Sequence, residues 1–213
     1  MNKIHAVFYD LDNTLYPQII DVEQRIDYCI KKSPFSSTKS IKRFWKKEWL
    51  KNGHKKNDLI DSIIEKFSLN LNKEEVVYAY RTYRTNLFLA KEIVDLLEKI
   101  RNQGIKQFVI TNGNLLIQSN KIDSLQLSRY FDEIIIAIDE YAKPSVYWFN
   151  ELINKYNFKP EECISVGDWY AIDGFASQSA GITFIYKDGG PIKEIVPSHI
   201  ERIRDLTEIE EYI

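Results

Sequence analysis

Short apolar segments alternate with amphipathic segments of helical length along most of this chain, and this alternation constrains its fold more than any other feature. The predicted strands cover residues 4–9, 108–110, 134–138, 164–166 and 183–186. Strands that are apolar along their whole length are typical of parallel sheets with helices on both faces. Successive parallel strands also need a crossover, which is usually a helix. The sequence therefore predicts an α/β fold with a parallel sheet at its core.

The segment that follows the first predicted strand is different, because it shows only helical periodicity. Its apolar residues recur at spacings of three and four in four stripes: Val22, Ile26 and Ile30; Ile41, Phe44, Trp45 and Trp49; Ile60, Ile63, Ile64 and Phe67; and Val76, Val77, Tyr80 and Tyr83. We expect Asp21 and Asp58 to cap the first and third of these helices. The pattern predicts an all-helical domain over residues 17–87, inserted into an α/β domain formed by residues 1–16 and 88–213.

The composition argues against several classes of protein. The 213 residues are 44% hydrophobic, which is enough for a core, and the net charge of −2 gives no field that favours nucleic acid or membranes. No stretch has the length of a membrane span, and the first residues lack the pattern of a signal peptide. The two cysteines and three histidines are scattered, which argues against a zinc site or a disulfide framework. We therefore expect a cytoplasmic protein.

Two acids, Asp10 and Asp12, directly follow the first predicted strand. Side chains two residues apart on an extended chain point to the same side, so both carboxylates would face one small space. Such carboxylates repel each other unless a cation lies between them, and Mg²⁺ prefers oxygen ligands of this kind. On this evidence alone, the pair could equally form a turn or cap a helix.

Further polar residues follow the other predicted strands. They are Thr111 and Asn112 after the second strand, Lys143 after the third, and Asp168 and Asp173 after the fourth. Each of them alone has a simpler explanation, as part of a turn, a helix cap or a solvated surface. Because ligands of parallel sheets bind outside the carboxyl ends of the strands, the residues together predict one cleft.

Four short motifs carry these residues, in the order Asp10-Leu11-Asp12-Asn13-Thr14, Thr111-Asn112-Gly113, Lys143-Pro144 and Gly167-Asp168 with Asp173. Together they resemble the ordered motifs of the haloacid dehalogenase-like hydrolase superfamily, and the resemblance covers the whole chain. It implies a Rossmann-like core and a helical cap of the family's first type. Because the dehalogenases themselves lack an acid at the position of Asp12, the chain looks like the phosphatase branch. More loosely, it resembles nucleotidase-like and sugar-phosphatase-like members.

The resemblance implies a role for each residue in the reaction. Asp10 is the implied nucleophile, which attacks phosphorus and carries an aspartyl-phosphate. Asp12 is the implied general acid and base, which protonates the leaving alkoxide and then deprotonates the attacking water. Lys143 neutralises charge on the phosphoryl group and on Asp10, and Asp173 orients Lys143 or a metal-bound water. The implied substrate is a small phosphorylated metabolite, either a nucleotide or a sugar phosphate.

The resemblance also implies a Mg²⁺ cofactor and a phosphate site. The metal ligands are the carboxylates of Asp10 and Asp168 and the backbone carbonyl of Asp12. The hydroxyl of Thr111, with Asn112 and nearby N–H groups, is expected to bind phosphoryl oxygens at the start of the following helix.

One predicted helix of the insert is rich in basic residues on the side opposite Ile41, Trp45 and Trp49. These basic residues are Lys39, Lys42, Arg43, Lys46, Lys47, Lys51, Lys55 and Lys56, and only Glu48 opposes them. A solvated face over a packed one is the favoured interpretation. The alternative is a rim that attracts anionic substrates or contacts nucleic acid.

Two other functions remain open at the level of sequence. A phosphomutase would share all four motifs, and a non-enzymatic binding protein could use the basic helix. We expect a small phosphorylated substrate as the binding partner, no membrane and no nucleic acid, and either a monomer or a homodimer.

Overall fold

A computed structural model of the chain describes residues 3–32, 38–52, 59–67 and 72–213. The chain divides into two compact units: Met1–Pro17 together with Phe88–Ile213 form one, and Gln18–Leu87 form the other. Three residues singled out in the sequence, Lys55, Lys56 and Asp58, lie outside the described residues. Within the described ranges, no helix is both long and apolar enough to cross a membrane.

Six parallel strands form a single sheet in the first unit. They are β1 (Ala6–Tyr9), β2 (Lys106–Asn112), β3 (Glu133–Ala137), β4 (Cys163–Gly167), β5 (Thr183–Lys187) and β6 (Glu201–Ile203). Their spatial order is β3-β2-β1-β4-β5-β6, and every neighbouring pair is parallel. The predicted α/β fold is therefore confirmed. The sequence pattern does not predict β6, because two of its three residues are exposed and charged.

The described elements of the second unit are all helices. They are α1 (Ile19–Lys32), α2 (Thr38–Asn52), α3 (Leu59–Lys66) and α4 (Lys73–Thr82). One hydrophobic cluster joins them and contains buried members of all four predicted stripes, among them Ile26, Trp45, Ile63 and Val76. The apolar periodicity therefore located the faces by which these helices pack together.

The basic side of α2 is partly neutralised inside the same unit. Lys42 forms an ion pair with Asp27 of α1 at 2.7 Å, and Lys46 forms one with Glu23. Lys39, Arg43, Lys47 and Lys51 are exposed. This arrangement agrees with the favoured interpretation, a solvated face over a packed one.

Asp21 does not cap α1, because the helix already begins at Ile19, and this prediction is wrong. The Asp21 side chain is instead buried, and both of its oxygens accept hydrogen bonds of 2.9 Å from Nε of Arg25. Nη1 of Arg25 donates to the backbone carbonyls of Tyr80 and Tyr83, each at 2.8 Å. A fully buried guanidinium needs a counterion, and Asp21 supplies it.

The remaining helices cover the sheet. They are α5 (Lys91–Asn102), α6 (Leu115–Ser124), α7 (Tyr147–Tyr156) and α8 (Phe175–Ser179). On one face, Phe149 of α7 packs against Phe8 of β1, with ring centroids 5.4 Å apart. The segment after β4 forms a wide helical turn, Tyr170–Gly174, which is followed by the short α8.

Candidate active site

Three neighbouring strands bring acidic and hydroxyl side chains to the same edge of the sheet. Asp10 directly follows β1, Thr111 lies at the end of β2, and Asp168 directly follows β4. Because β1 lies between β2 and β4 and all three are parallel, their carboxyl ends are adjacent. The backbone N–H of Asp10 donates to the carbonyl of Val166 at 2.9 Å, which ties the start of the loop to β4.

Lys143 reaches this edge from the loop that follows β3. Its backbone N–H donates to Oδ1 of Asn112 at 2.9 Å, and Nδ2 of Asn112 donates to the Lys143 carbonyl at 2.7 Å. These two bonds fix the Lys143 backbone against the end of β2. The side chain of Asn112 is therefore occupied by the chain itself.

The ammonium of Lys143 lies between two carboxylates. Its Nζ is 2.7 Å from Oδ1 of Asp10 and 2.6 Å from Oδ1 of Asp173. Burial opposes the charged form of Lys143, but the two carboxylates outweigh burial and raise the pKa of Lys143 above its ordinary value. Lys143 is therefore a fixed positive charge at any working pH.

The three carboxylates of Asp10, Asp168 and Asp173 form a tight cluster, with one oxygen of each lying within 4.8 Å of the others. Burial, opposed by Lys143 and reinforced by Asp173, raises the pKa of Asp10 to about 7. Burial and the charges of Asp10 and Asp173 raise the pKa of Asp168 to about 8. A cation would relieve this repulsion, and hard carboxylate oxygens are the donors that Mg²⁺ prefers. The donor set therefore fits a magnesium ion.

Asp12 lies beside this cluster, and its carboxylate is held by three side chains. Oδ1 accepts a hydrogen bond of 2.8 Å from the hydroxyl of Tyr16. Nζ of Lys121 lies 2.8 Å from Oδ1 and 2.7 Å from Oδ2. Nε2 of Gln118 donates to Oδ2 at 3.2 Å. Lys121 and Gln118 lie on α6, and both are buried.

Thr111 is buried at the end of β2, and its hydroxyl oxygen accepts a hydrogen bond of 2.7 Å from Nε2 of Gln118. The same Nε2 lies 3.0 Å from the carbonyl of Asn112. Because the Thr111 oxygen accepts from Gln118, its hydroxyl hydrogen can donate elsewhere. The structure thus brings together Asp10, Asp12, Thr111, Asn112, Lys143, Asp168 and Asp173, the full set of candidate site residues.

The sequence matches the haloacid dehalogenase-like hydrolase family over residues 7–187. This chain belongs to that family. A glyceraldehyde 3-phosphate phosphatase of Pyrococcus furiosus is 25% identical to this hydrolase over 207 residues, which cover 92% of this chain and 85% of that protein. Phosphoglycolate phosphatase 1 of Pseudomonas aeruginosa is 26% identical, over 94% of this chain and 77% of that protein.

Solved structures of the family share the fold of this hydrolase. The HAD-hydrolase YfnB of Bacillus subtilis, determined with bound magnesium, superposes with a TM-score of 0.78 and 19% sequence identity, covering 99% of both chains. The family match confirms the family resemblance and the prediction of a hydrolytic enzyme, and the shared fold confirms the Rossmann-like core with its helical cap.

Two glycines of this hydrolase let the backbone approach the acidic cluster closely. A Cβ added at Gly190 would overlap the carboxylate of Asp168, and a Cβ added at Gly167 would overlap the side chain of Asp173. The loop after β5 therefore passes directly against Asp168. The sequence motifs include Gly167 but do not point to Gly190.

Sequence reasoning missed Tyr16, Gln118 and Lys121. A signal for two of them was present, because Gln118, Lys121 and the buried Leu125 share one helical face at spacings of three and four. Polar residues on a face that also carries a buried leucine are unusual, and they indicate an internal polar partner.

Proposed function

We propose that this hydrolase is a Mg²⁺-dependent phosphomonoesterase that acts on a small phosphorylated metabolite through an aspartyl-phosphate on Asp10. The observation that carries the proposal is the position of the Lys143 ammonium between Asp10 and Asp173, beside the carboxylate of Asp168. The site combines a nucleophile, a fixed cation and a set of hard oxygen donors. Phosphoryl transfer needs all three.

In the first step, a carboxylate oxygen of Asp10 attacks phosphorus, and the bond between phosphorus and the leaving oxygen breaks. The proton of the protonated Asp12 carboxyl passes to that oxygen, so the leaving group departs as an alcohol. Lys143 neutralises part of the negative charge that Asp10 and the phosphoryl group bring together. Asp173 keeps the Lys143 ammonium in place through the contact of 2.6 Å.

In the second step, Asp12 is a carboxylate and takes a proton from a water molecule. The oxygen of that water attacks phosphorus, the bond between phosphorus and Asp10 breaks, and inorganic phosphate leaves. Asp10 is again a carboxylate and Asp12 is again protonated, so the enzyme returns to its starting state.

The phosphoryl oxygens would be held by the Thr111 hydroxyl and by the Lys143 ammonium. We assign to the Asn112 side chain the task of positioning the Lys143 backbone, because both ends of its amide are already bonded there. Any contact between Asn112 and the phosphate would then be made by the backbone of Asn112.

Asp10, Asp168 and the backbone carbonyl of Asp12 would hold Mg²⁺. When bound, the ion supplies positive charge that stabilises the phosphoryl group during transfer. The raised pKa values of Asp10 and Asp168 support this assignment, because both carboxylates lie where a cation is needed. The magnesium in the YfnB structure also supports it.

The substrate class follows from the relatives, which are named for small phosphorylated metabolites such as glyceraldehyde 3-phosphate and phosphoglycolate. We further propose that residues 17–87 act as the cap domain that selects the leaving group, because the phosphate-handling residues carry no information about it.

The reaction would take place in the cytoplasm, in a monomer or a homodimer. The free thiols of Cys29 and Cys163 suit a reducing compartment.

The test is phosphate release from a panel of nucleotides, sugar phosphates, glyceraldehyde 3-phosphate, phosphoglycolate and 4-nitrophenyl phosphate. Each compound is incubated with Mg²⁺ or with EDTA, and the same panel is repeated with Asp10→Asn. We expect release that requires both the metal and Asp10. Equal release by Asp10→Asn would contradict the mechanism, and transfer of phosphate between positions of one sugar would indicate a mutase instead.

A further inference from the structure

We propose that Lys121 and Gln118 of α6 are positioning residues, which hold the Asp12 carboxylate for proton transfer and link it to the phosphate-binding Thr111. This inference rests on the proposed function, because it assigns a role to residues that act through Asp12.

The first argument is the number and direction of the hydrogen bonds at Asp12. Its Oδ1 accepts from Tyr16 and Lys121, and its Oδ2 accepts from Gln118 and Lys121. A carboxylate offers about four lone-pair positions, and these donors approach both of its oxygens. These donors therefore fix both the position and the rotation of the Asp12 side chain.

The second argument is burial. The side chain of Lys121 is 2% exposed and that of Asp12 is 11% exposed, so this ion pair is almost completely shielded from solvent. Replacing a buried ion pair by well-packed apolar residues of similar size is often neutral or stabilising. Packing alone would therefore not require a lysine at this position, whereas orientation of a reactive carboxylate does.

The third argument is that Gln118 contacts two parts of the site at once. Its Nε2 lies 2.7 Å from the Thr111 hydroxyl oxygen and 3.2 Å from Oδ2 of Asp12. By donating to Thr111, Gln118 leaves the hydroxyl hydrogen of Thr111 available for a phosphoryl oxygen. One amide thus sets the relative position of the phosphate-binding hydroxyl and the general acid.

Donors around both oxygens favour the ionised form of Asp12, which is the form that it takes after its proton has passed to the leaving group. Lys121 and Gln118 would therefore act at the step in which the leaving oxygen is protonated. That step matters most for alkyl phosphates, whose alkoxides leave poorly, and little for 4-nitrophenyl phosphate, whose phenolate leaves without a proton.

The decisive experiment compares Lys121→Met with the wild type on these two classes of substrate, in the full chain with Mg²⁺. The probes are 4-nitrophenyl phosphate and glyceraldehyde 3-phosphate, or whichever alkyl phosphate of the panel turns over fastest. We expect kcat on the alkyl phosphate to fall by about 100-fold, within the usual range for loss of general acid–base catalysis, and kcat on 4-nitrophenyl phosphate to fall by less than about tenfold. Equal losses on both substrates would overturn the inference.

A double-mutant cycle separates action through Asp12 from a general structural effect. In the Asp12→Asn background, Lys121→Met should cause little further loss, because the group that it positions is already gone. Independent, multiplicative losses would overturn the inference. Asn120→Ala is the matched control, since Asn120 is buried on the same helix, and this variant should retain the leaving-group preference of the wild type.

Two further variants keep the test decisive. If Lys121→Met does not fold, as judged by circular dichroism, Gln118→Met takes its place and should show the same selective loss, together with a higher KM because Thr111 is no longer oriented. Lys121→Arg should recover part of the alkyl phosphate activity, because it keeps the charge.

If the wild type releases no phosphate from any substrate, the proposed function fails and the inference fails with it. A normal wild type with an unselective Lys121→Met refutes the inference alone.

Discussion

The ammonium of Lys143 lies 2.7 Å from the carboxylate oxygen of Asp10, although the two residues are 133 positions apart along the chain. Both side chains are mostly buried, at 3% and 12% exposure, and Asp173 contacts the same ammonium from another direction. In the proposed mechanism, the carboxylate of Asp10 approaches a phosphate dianion and needs such a cation, because three or more negative charges otherwise meet in one small space.

Replacing Lys143 by methionine should slow turnover strongly and destabilise the fold. Asp10 and Asp173 would lose their shared cation, and a buried charge without a partner costs about 3 kcal/mol. We expect kcat to fall at least about 100-fold. Steady-state kinetics and urea denaturation measure the two effects.

A lysine of a surface ion pair provides the control for this substitution. Lys155 forms an ion pair of 2.9 Å with Glu133, but its side chain is 62% exposed. Lys155→Met should change the free energy of unfolding by less than about 1 kcal/mol and leave turnover unchanged. Similar effects of the two variants on stability and turnover would contradict the explanation that the buried position of Lys143 causes the larger loss.

Two glycine-to-alanine variants should affect different parts of the reaction. In Gly190→Ala, the added methyl group overlaps the Asp168 carboxylate, so we expect weaker Mg²⁺ binding. In Gly167→Ala, the methyl group overlaps Asp173, which contacts the Lys143 ammonium, so we expect kcat to fall at saturating Mg²⁺. Titration of activity with Mg²⁺ distinguishes the two outcomes, and identical metal dependence of both variants would contradict the assignment.

The geometry of a parallel sheet explains why much of the site could be predicted from sequence. Asp10, Thr111 and Asp168 each follow a predicted strand, and parallel strands place their carboxyl ends at one edge whatever the lengths of the loops between them. The strands β1 to β5 were also predictable, since each contains a short apolar run, whereas the exposed and charged β6 was not.

The contacts made by side chains from helices and loops could not be predicted in the same way. Lys121 and Asp12 are 109 residues apart, and a lysine on a helix most often faces solvent. The approach of Gly190 to Asp168 depends on the path of a loop that has no regular pattern. Asn112 belongs to one of the sequence motifs, but only the structure reveals that its side-chain amide is hydrogen-bonded to the backbone of Lys143.

The ion pair of Arg25 with Asp21 should stabilise the helical unit formed by residues 18–87. Arg25→Met leaves the buried carboxylate of Asp21 without its cation and removes the donors to Tyr80 and Tyr83. We expect a loss of about 3–5 kcal/mol in the free energy of unfolding.

The double variant Arg25→Met with Asp21→Leu tests the cause of that loss. Replacing both charges by apolar side chains removes the unpaired carboxylate, so the double variant should be more stable than Arg25→Met alone. Thermal or urea denaturation of both variants measures the difference. A double variant that is less stable than the single one would contradict the electrostatic explanation.

The stabilisation of the fold by Mg²⁺ should increase with pH. In the metal-free protein, the pKa values of Asp10 and Asp168 rise from the ordinary value of 3.8 to about 7 and about 8. Between pH 4 and these values, the folded state retains protons that the unfolded state has released. The free energy of unfolding of the metal-free protein therefore falls as the pH rises through this range, because fewer protons are bound in the unfolded state.

Mg²⁺ binds the ionised carboxylates. At low pH it must displace their protons, which weakens binding, whereas at about pH 8 the carboxylates are already charged and their mutual repulsion is relieved by the ion. The difference in Tm between samples with Mg²⁺ and with EDTA should be small at about pH 5.5 and should widen up to about pH 8. Asp168→Asn removes one of the two titrating groups, so its Tm difference should be smaller and should vary less with pH. A Tm difference that is constant over this range in the wild type would show that these two carboxyl groups do not bind the metal.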